Sequence, residues 1–107
     1  MSNDKHFTSD ELDELIEEAT VDCYDEYEER VGFLTMIHDN VSTPFQAILH
    51  GDSVTISEID GDDRVIKVTI QKNGKTYPVD ILDLEIDDEN VKGSEWIAAY
   101  RKWERGN

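Results

Sequence analysis

The sequence predicts an α+β fold: an N-terminal acidic helix and a short second helix packed on a small antiparallel sheet or SH3-like barrel, with a C-terminal helix. Apolar residues recur every three or four positions near both ends of the chain, but alternate with polar ones in the middle. Asn73-Gly74 adds a strong hairpin signal. The length of 107 residues suits a single domain, expected over residues 9–107 behind a flexible tail of residues 1–8.

The two N-terminal helices are predicted from capping residues and an apolar stripe. Thr8 and Glu11 have the spacing of a capping box. The stripe then continues on one helical face, through Leu12, Ile16, Ala19, Cys23 and Tyr27. Gly32 is expected to break or bend this helix after Arg30, and residues 33–37 to form one or two turns of a second helix. That helix should end at Asp39-Asn40, ahead of Pro44.

Residues 45–79 carry the strand pattern. Four short strands joined by tight turns are predicted, at residues 45–49, 54–59, 64–71 and 76–79. Pro78 marks the last of them as an edge strand or a bulge. Residues 80–86 are ambiguous between a strand and a 3₁₀ turn. Ser94 is expected to cap the final helix, with one apolar face of Trp96, Ile97, Tyr100 and Trp103.

The composition restricts the classes of partner. The formal net charge is -16, from 26 Asp and Glu against 10 Lys and Arg. Such a surface repels nucleic acid and anionic membranes but attracts cations, and it would also suit a basic protein partner. The single cysteine excludes an intramolecular disulfide and indicates a cytoplasmic location. We expect neither a signal peptide nor a membrane span.

The acidic helix is the first candidate cation site. Asp22, Glu26 and Glu29 fall on one side of the predicted helix, and hard oxygen ligands suit calcium or magnesium. For any single residue a merely solvated helix face is the more ordinary explanation. Repulsion favours a bound cation, since like charges at i,i+4 destabilise a helix by about 0.2–0.5 kcal/mol per pair. Four such pairs are predicted here: Glu14/Glu18, Glu18/Asp22, Asp22/Glu26 and Asp25/Glu29.

Asp39-Asn40 is the second candidate. Two side-chain oxygens would lie at a helix end, near carbonyls that lack partners inside the helix. Calcium readily combines backbone carbonyls with carboxylates. The local sequence alone favours a simple helix stop with an Asx-turn.

The other motifs give little indication of a metal-binding or catalytic site. With Gly61 at the sixth position of an EF-hand loop, Ile56 and Lys67 would occupy the first and twelfth positions, where carboxylates are required. The turn at residues 60–63 is therefore better explained as a hairpin, with at most a weak cation site, and residues 87–89 give a weaker signal still. The histidines show no zinc-ligand spacing, and Cys23 on an apolar stripe is more often buried than nucleophilic. We find no catalytic signature and predict no enzyme.

The sequence resembles the cyanobacterial-type calcium-binding (CcbP-like) family, which lacks an EF-hand. The resemblance covers most of the chain, and its motifs stand at residues 21–28, 32–33, 35–37, 39–40, 44–45, 78–84 and 95–103. It implies Ca²⁺ binding without catalysis. It also implies Asp39 and Asn40 as the foremost ligands, with Asp22, Asp25 and Glu26 as further ligands or as a source of negative field. His38 stands where the family pattern has another acid, which implies a lower affinity.

The leading interpretation is a cytoplasmic calcium buffer or sensor with a site of micromolar or weaker affinity. The segment around Gly32 is the part expected to move if the protein is a sensor. The alternative is an acidic protein–protein interaction module without a specific ion, which would respond equally to calcium and magnesium.

Overall fold

The first helix begins where its capping residues predict. The computed structural model describes residues 7–106, so most of the predicted tail of residues 1–8 lies outside the described residues. Helix α1 spans Ser9–Thr20 with Thr8 as its N-cap. The Glu11 amide donates to Thr8 Oγ1 over 3.1 Å, and the Thr8 amide donates to Glu11 Oε1 over 2.9 Å. This reciprocal pair confirms the predicted capping box.

The second helix begins earlier than predicted and ends at the predicted place. Helix α2 spans Glu26–Asn40, so the prediction of one helix continuing to Arg30 is wrong. The chain leaves the helical conformation between Val21 and Asp25, where Asp22 has a φ of 63°. Asp25 then starts α2 as its N-cap, because Asp25 Oδ1 accepts the Glu28 amide over 2.9 Å.

Gly32 lies inside α2 and does not break it, which corrects the second part of that prediction. A Cβ at this position would stand 2.1 Å from the carbonyl oxygen of Ala19. The missing side chain therefore allows α1 and α2 to pack in close contact. This gain in packing offsets the cost of about 1 kcal/mol that glycine carries inside a helix.

The middle of the chain forms a five-stranded antiparallel sheet, ordered β4-β3-β2-β1-β5. Its strands are β1 (Phe45–Leu49), β2 (Asp52–Gly61), β3 (Ile66–Lys72), β4 (Lys75–Asp80) and β5 (Leu84–Glu85). The prediction that Pro78 lies in an edge strand is confirmed, because within residues 7–106 β4 pairs with β3 alone. The ambiguous stretch contains both predicted forms, a 3₁₀ turn at Ile81–Asp83 followed by β5.

A bulge in β2 keeps two isoleucines on the buried side of the sheet. Ile56 and Ile59 are three residues apart, a spacing that would point them to opposite faces of a regular strand. The register with β3 shifts between Ile56 and Glu58, which adds one residue to β2. Ile56 is fully buried and Ile59 is 8% exposed, so both belong to the core.

Helix α3 spans Ser94–Glu104, and its cap differs from the prediction. Gly93, with a φ of 87°, is the N-cap, and Ser94 is the first helical residue. Ser94 Oγ donates to the carbonyl oxygen of Asp88 over 3.4 Å, so the side chain bonds to the preceding loop. The apolar face of α3 is as predicted: Trp96, Ile97 and Tyr100 are buried, and Trp103 is partly buried against them.

The core lies between the helices and the sheet. The three helices contact one another, and α2 also contacts β2. Phe33 and Ile37 of α2 are fully buried and pack with the inward residues of the sheet, among them Ile66, Val68 and Ile70 of β3. No helix within residues 7–106 is long and apolar enough to cross a membrane.

Candidate functional site

Three of the five predicted ligands lie at the N-terminal end of α2. Asp22 is in the connection from α1, Asp25 is the N-cap, and Glu26 is the first helical residue. All three side chains are exposed. One carboxylate oxygen of Asp25 already accepts the Glu28 amide. This helix end carries partial positive charge, which opposes a bound cation.

The continuous acidic helix face predicted from the sequence is not present. Because α1 ends at Thr20, the pairs Glu18/Asp22 and Asp22/Glu26 do not stack on one helix. Glu14 and Glu18 remain an i,i+4 pair within α1, and Asp25 and Glu29 bracket the first turn of α2. Relief of helix repulsion by a cation is therefore a weaker argument than the sequence suggested.

The other two predicted ligands, Asp39 and Asn40, are the last residues of α2. Both are exposed. The Asn40 side-chain amide donates to the Met36 carbonyl over 2.7 Å, which orients its Nδ2 toward the helix. The Val41 amide makes the last helical bond, to the carbonyl of Ile37 over 2.8 Å. The carbonyls of residues 38–40 therefore have no partner within the helix, and partial negative charge accumulates there.

The C-terminal end of α2 is held between two other segments. His38 Nε2 lies 2.5 Å from the carbonyl oxygen of Ile59, near the end of β2. The carbonyl oxygen of Asn40 lies against Gly93, where an added Cβ would stand 2.2 Å away from it. Gly93 is the N-cap of α3, so a β-strand, a helix end and a helix start converge on this place.

The two ends of α2 cannot share one ion. Asp39 stands thirteen positions after Glu26, and at 1.5 Å rise per residue this is roughly 20 Å. The structure thus divides the predicted ligands into an N-terminal group of three and a C-terminal group of two. Within residues 7–106 no three His, Cys, Asp or Glu side chains are grouped so that they could hold a metal ion.

The donors at the C-terminal end of α2 fit calcium in kind. Asp39 supplies a carboxylate, Asn40 an amide oxygen, and the helix end supplies carbonyl oxygens. Calcium takes six to eight oxygen ligands and accepts carbonyls and water alongside carboxylates. With one carboxylate in the group, the remaining positions require backbone oxygens and water.

In each of the two acidic turns elsewhere, one aspartate accepts hydrogen bonds from its own turn. Asp62 Oδ1 accepts the amides of Arg64 and Val65 over 2.8 and 3.1 Å, and these two bonds lower the pKa of the Asp62 carboxyl. The Asp63 carbonyl accepts Arg30 Nη1 over 2.9 Å. In the loop before α3, Asp87 accepts the Glu89 amide and the Asn90 side chain. These bonds account for both turns without a cation.

The surroundings of Cys23 favour a structural role over a nucleophilic one. Its Sγ lies 3.5 Å from the Glu28 carbonyl. Desolvation, followed by the charges of Glu28 and Glu29, raises the pKa of the Cys23 thiol. A thiol that resists ionisation is a poor nucleophile.

A buried polar network that the sequence analysis missed fixes α2 in place. Arg30 is 8% exposed, and its guanidinium bonds to Glu104 Oε2 and Tyr100 Oη of α3 and to the Asp63 carbonyl. It also lies over the ring of Trp103, 5.0 Å from the ring centroid. The signal that was overlooked is Arg30 itself, a charged residue three positions from Phe33 on the side of α2 that faces the core.

Comparison with known proteins identifies the family. A model of the CcbP family, described as calcium binding, matches residues 13–104. The chain belongs to this calcium-binding family. Calcium binding is therefore its activity, and Ca²⁺ is its ion.

Two solved structures share the fold. The crystal structure of CcbP from Anabaena superposes with a TM-score of 0.73 at 20% identity, covering 97% of this chain and 95% of that one. A calcium-binding protein in its calcium-binding form also gives a TM-score of 0.73, at 23% identity, covering 89% of this chain and 90% of that one. No curated protein matches the chain. At these identities the two structures confirm the predicted α+β fold.

Proposed function

We propose that this protein is a calcium buffer whose ion binds at the C-terminal end of α2. Asp39 and Asn40 provide the side-chain oxygens, and the carbonyls of residues 38–40 provide the backbone oxygens. The observation that carries the proposal is the coincidence of these donors with the negative end of a 15-residue helix. Asp22, Asp25 and Glu26 act at a distance, through the negative field that they add.

The donor chemistry favours calcium over magnesium at modest affinity. Magnesium demands a tight octahedron and keeps its waters, whereas calcium accepts an irregular set of carbonyls and carboxylates. A site with one carboxylate and no preformed loop should bind on the order of micromolar or more weakly. His38, bonded to the Ile59 carbonyl, contributes no negative charge where the family pattern has an acid.

A buffer fits the packing around α2 better than a sensor does. The segment expected to move, around Gly32, is pressed against the Ala19 carbonyl. Phe33 and Ile37 are fully buried, and Arg30 ties the helix to α3. Amide exchange across residues 26–40 should therefore be the same with and without calcium, except near residues 38–40. Exchange that changes through the whole helix would instead indicate a sensor.

Calorimetry with paired charge variants tests the location. Calcium is titrated into chelator-stripped protein, with excess magnesium and near-physiological salt, for wild type, Asp39→Asn and Glu26→Gln. Both variants remove one exposed negative charge, from opposite ends of α2. We expect saturable binding to be lost in Asp39→Asn and retained within about threefold in Glu26→Gln, since a distant charge is screened by salt.

Two other results would count against the proposal. Equal weakening in both variants would mean that the acidic field alone attracts calcium. Heat indistinguishable from that of magnesium would favour the alternative, an acidic interaction module without a specific ion.

The remaining parts of the proposal rest on composition. We place the protein in the cytoplasm because its single cysteine suits a reducing compartment. Residues 9–107 are proposed as one calcium-binding domain without catalytic activity. The net charge of -16 supports neither nucleic acid nor anionic membrane as a partner.

A further inference from the structure

Large exposed apolar side chains are concentrated in one short stretch of the chain. Five large hydrophobic residues are exposed within residues 7–106, and four of them fall between positions 21 and 31. We call these four the tyrosine patch: Val21 (64% exposed), Tyr24 (90%), Tyr27 (47%) and Val31 (41%). The fifth, Tyr77, lies on β4 at the edge of the sheet. The patch is thus a local feature rather than a general property of the surface.

The patch is built on hydrogen-bonded structure. Tyr27 and Val31 are one turn apart on the same side of α2. The Tyr24 amide donates to Glu28 Oε1 over 2.8 Å, which fixes the backbone just before the helix. Val21 ends α1, and the next turn is closed by the Cys23 amide on the Thr20 carbonyl over 3.1 Å. Because the backbone beneath the patch is already ordered, little backbone conformational entropy is lost when a partner binds.

The charge around the patch selects the partner. Asp22, Asp25, Glu26 and Glu28 are exposed and alternate with the patch residues along the chain. Residues 21–29 contain no Lys or Arg, and Arg30 is buried against Glu104. An apolar centre with an acidic rim complements a basic segment that has apolar residues on one side. A second copy of this chain would bring another charge of -16 and would be repelled.

We propose that the tyrosine patch is a docking surface for a basic amphipathic helix of another protein. The apolar stripe of that helix covers Tyr24, Tyr27 and Val31, and its flanking Lys or Arg residues meet the acidic rim. Tyrosine suits this role because it buries a large apolar area while its hydroxyl tolerates water. The patch is at the opposite end of α2 from the proposed calcium site, so docking does not depend on that site.

The test uses a defined peptide and matched variants. The probe is a fluorescent helical peptide of about 18 residues, with Leu on one face and Lys on the others. Its control is a scrambled peptide of the same composition and charge without an apolar face. Anisotropy titrations at near-physiological salt are run with chelator and with calcium, on wild type, on Tyr24→Ser with Tyr27→Ser, and on Tyr77→Ser.

We expect the amphipathic peptide to bind wild type and the Tyr77→Ser variant equally well within about twofold, and the double variant about tenfold more weakly. The scrambled peptide should bind wild type about tenfold more weakly than the amphipathic one. No binding of the amphipathic peptide, equal binding of both peptides, or equal loss in the Tyr77→Ser variant would overturn the proposal.

Two measurements keep these outcomes interpretable. Amide shifts of the wild type on addition of peptide should be confined to residues 20–31, and shifts elsewhere would contradict the proposal even if the double variant were poorly folded. Calorimetry of the double variant should still show calcium binding. Loss of peptide binding can therefore be separated from any failure of the proposed calcium site.

Discussion

The carbonyl oxygen of Asn40 lies so close to Gly93 that a Cβ there would stand 2.2 Å from it. This contact joins the C-terminal end of α2 to the N-cap of α3. Gly93 also has a φ of 87°, a conformation that side chains disfavour. Glycine is required here for both reasons, and the contact fixes the position of one carbonyl proposed to bind calcium.

Gly93→Ala should therefore weaken both folding and calcium binding. We expect the free energy of unfolding to fall by about 3 kcal/mol, from backbone strain and the clash with Asn40 together. Gly74→Ala is the matched control, since Gly74 has a φ of 78° but nothing within 4 Å of its added Cβ. The control should lose about 1 kcal/mol and bind calcium as wild type does. Urea unfolding and calorimetry measure the two effects, and equal behaviour of both variants would contradict the account.

The ion pair of Arg30 with Glu104 should matter far more than exposed ion pairs do. Arg30→Met leaves Glu104, Tyr100 and the Asp63 carbonyl without their shared donor in a partly buried place, and should cost about 3 kcal/mol of unfolding free energy. Lys72→Met breaks the exposed pair with Asp52 and should leave the free energy of unfolding almost unchanged, because solvent screens that pair. Denaturant unfolding measures the loss of unfolding free energy in both variants. Similar losses would mean that the Arg30 network contributes little to stability.

Alkaline pH should destabilise the protein in part through Tyr100. Burial, and then the hydrogen bond to Glu104, raise the pKa of the Tyr100 phenol above its ordinary value of 10.0. Above about pH 10 the unfolded chain loses this proton, whereas the folded state retains it. The stabilisation is therefore complete below that pH and falls as the pH rises further. The difference in unfolding free energy between wild type and Tyr100→Phe should be constant below that pH and shrink above it. A constant difference up to pH 11 would show that the phenol titrates normally.

The Gly32→Ala variant tests whether position 32 is a close contact between α1 and α2 or a hinge. Alanine favours the helix by about 1 kcal/mol, but its Cβ would stand 2.1 Å from the Ala19 carbonyl oxygen. We expect a net loss of about 2 kcal/mol of unfolding free energy with little change in far-ultraviolet circular dichroism. A variant more stable than wild type would show that α1 and α2 are not in close contact at this point.

Periodicity predicted the sheet and α3 well because burial there follows the local pattern. The alternation of Ile66, Val68 and Ile70, the hairpin at Asn73-Gly74 and the edge position of Pro78 all depend on neighbouring residues, and all are found in the structure. The bulge in β2 is different. It depends on pairing with β3, which no local pattern specifies.

The break between α1 and α2 was missed because the apolar stripe continues across it. Cys23 and Tyr27 keep the helical spacing by coincidence, and Gly32 was the more obvious breaker. Asp25 followed by Glu28 is a capping signal that marks the true start of α2, and it was available in the sequence. Glycine at position 32 serves a tertiary contact with α1, which a sequence alone does not reveal.

The sequence suggested which residues form the candidate site, but not how the fold arranges them. Asp39 and Asn40 lie at a helix end as expected, whereas Glu26 lies roughly 20 Å away at the other end of the helix, and Asp22 and Asp25 precede it. The convergence of Ile59 and Gly93 on that end depends on long-range packing, so no spacing in the sequence indicates it. Whether Asp39 and Asn40 bind the ion stays a prediction.

Amide shift mapping by NMR tests the calcium site most directly. Calcium is added to wild-type protein in the presence of excess magnesium, and the shifts that saturate are assigned along the chain. We predict that they cluster at residues 38–41, at residues 59–61 of the β2 end and at residues 91–94, and that residues 21–26 respond weakly. Saturating shifts centred on residues 21–26, with the C-terminal end of α2 unchanged, would contradict the account and place the ion at the opposite end of the helix.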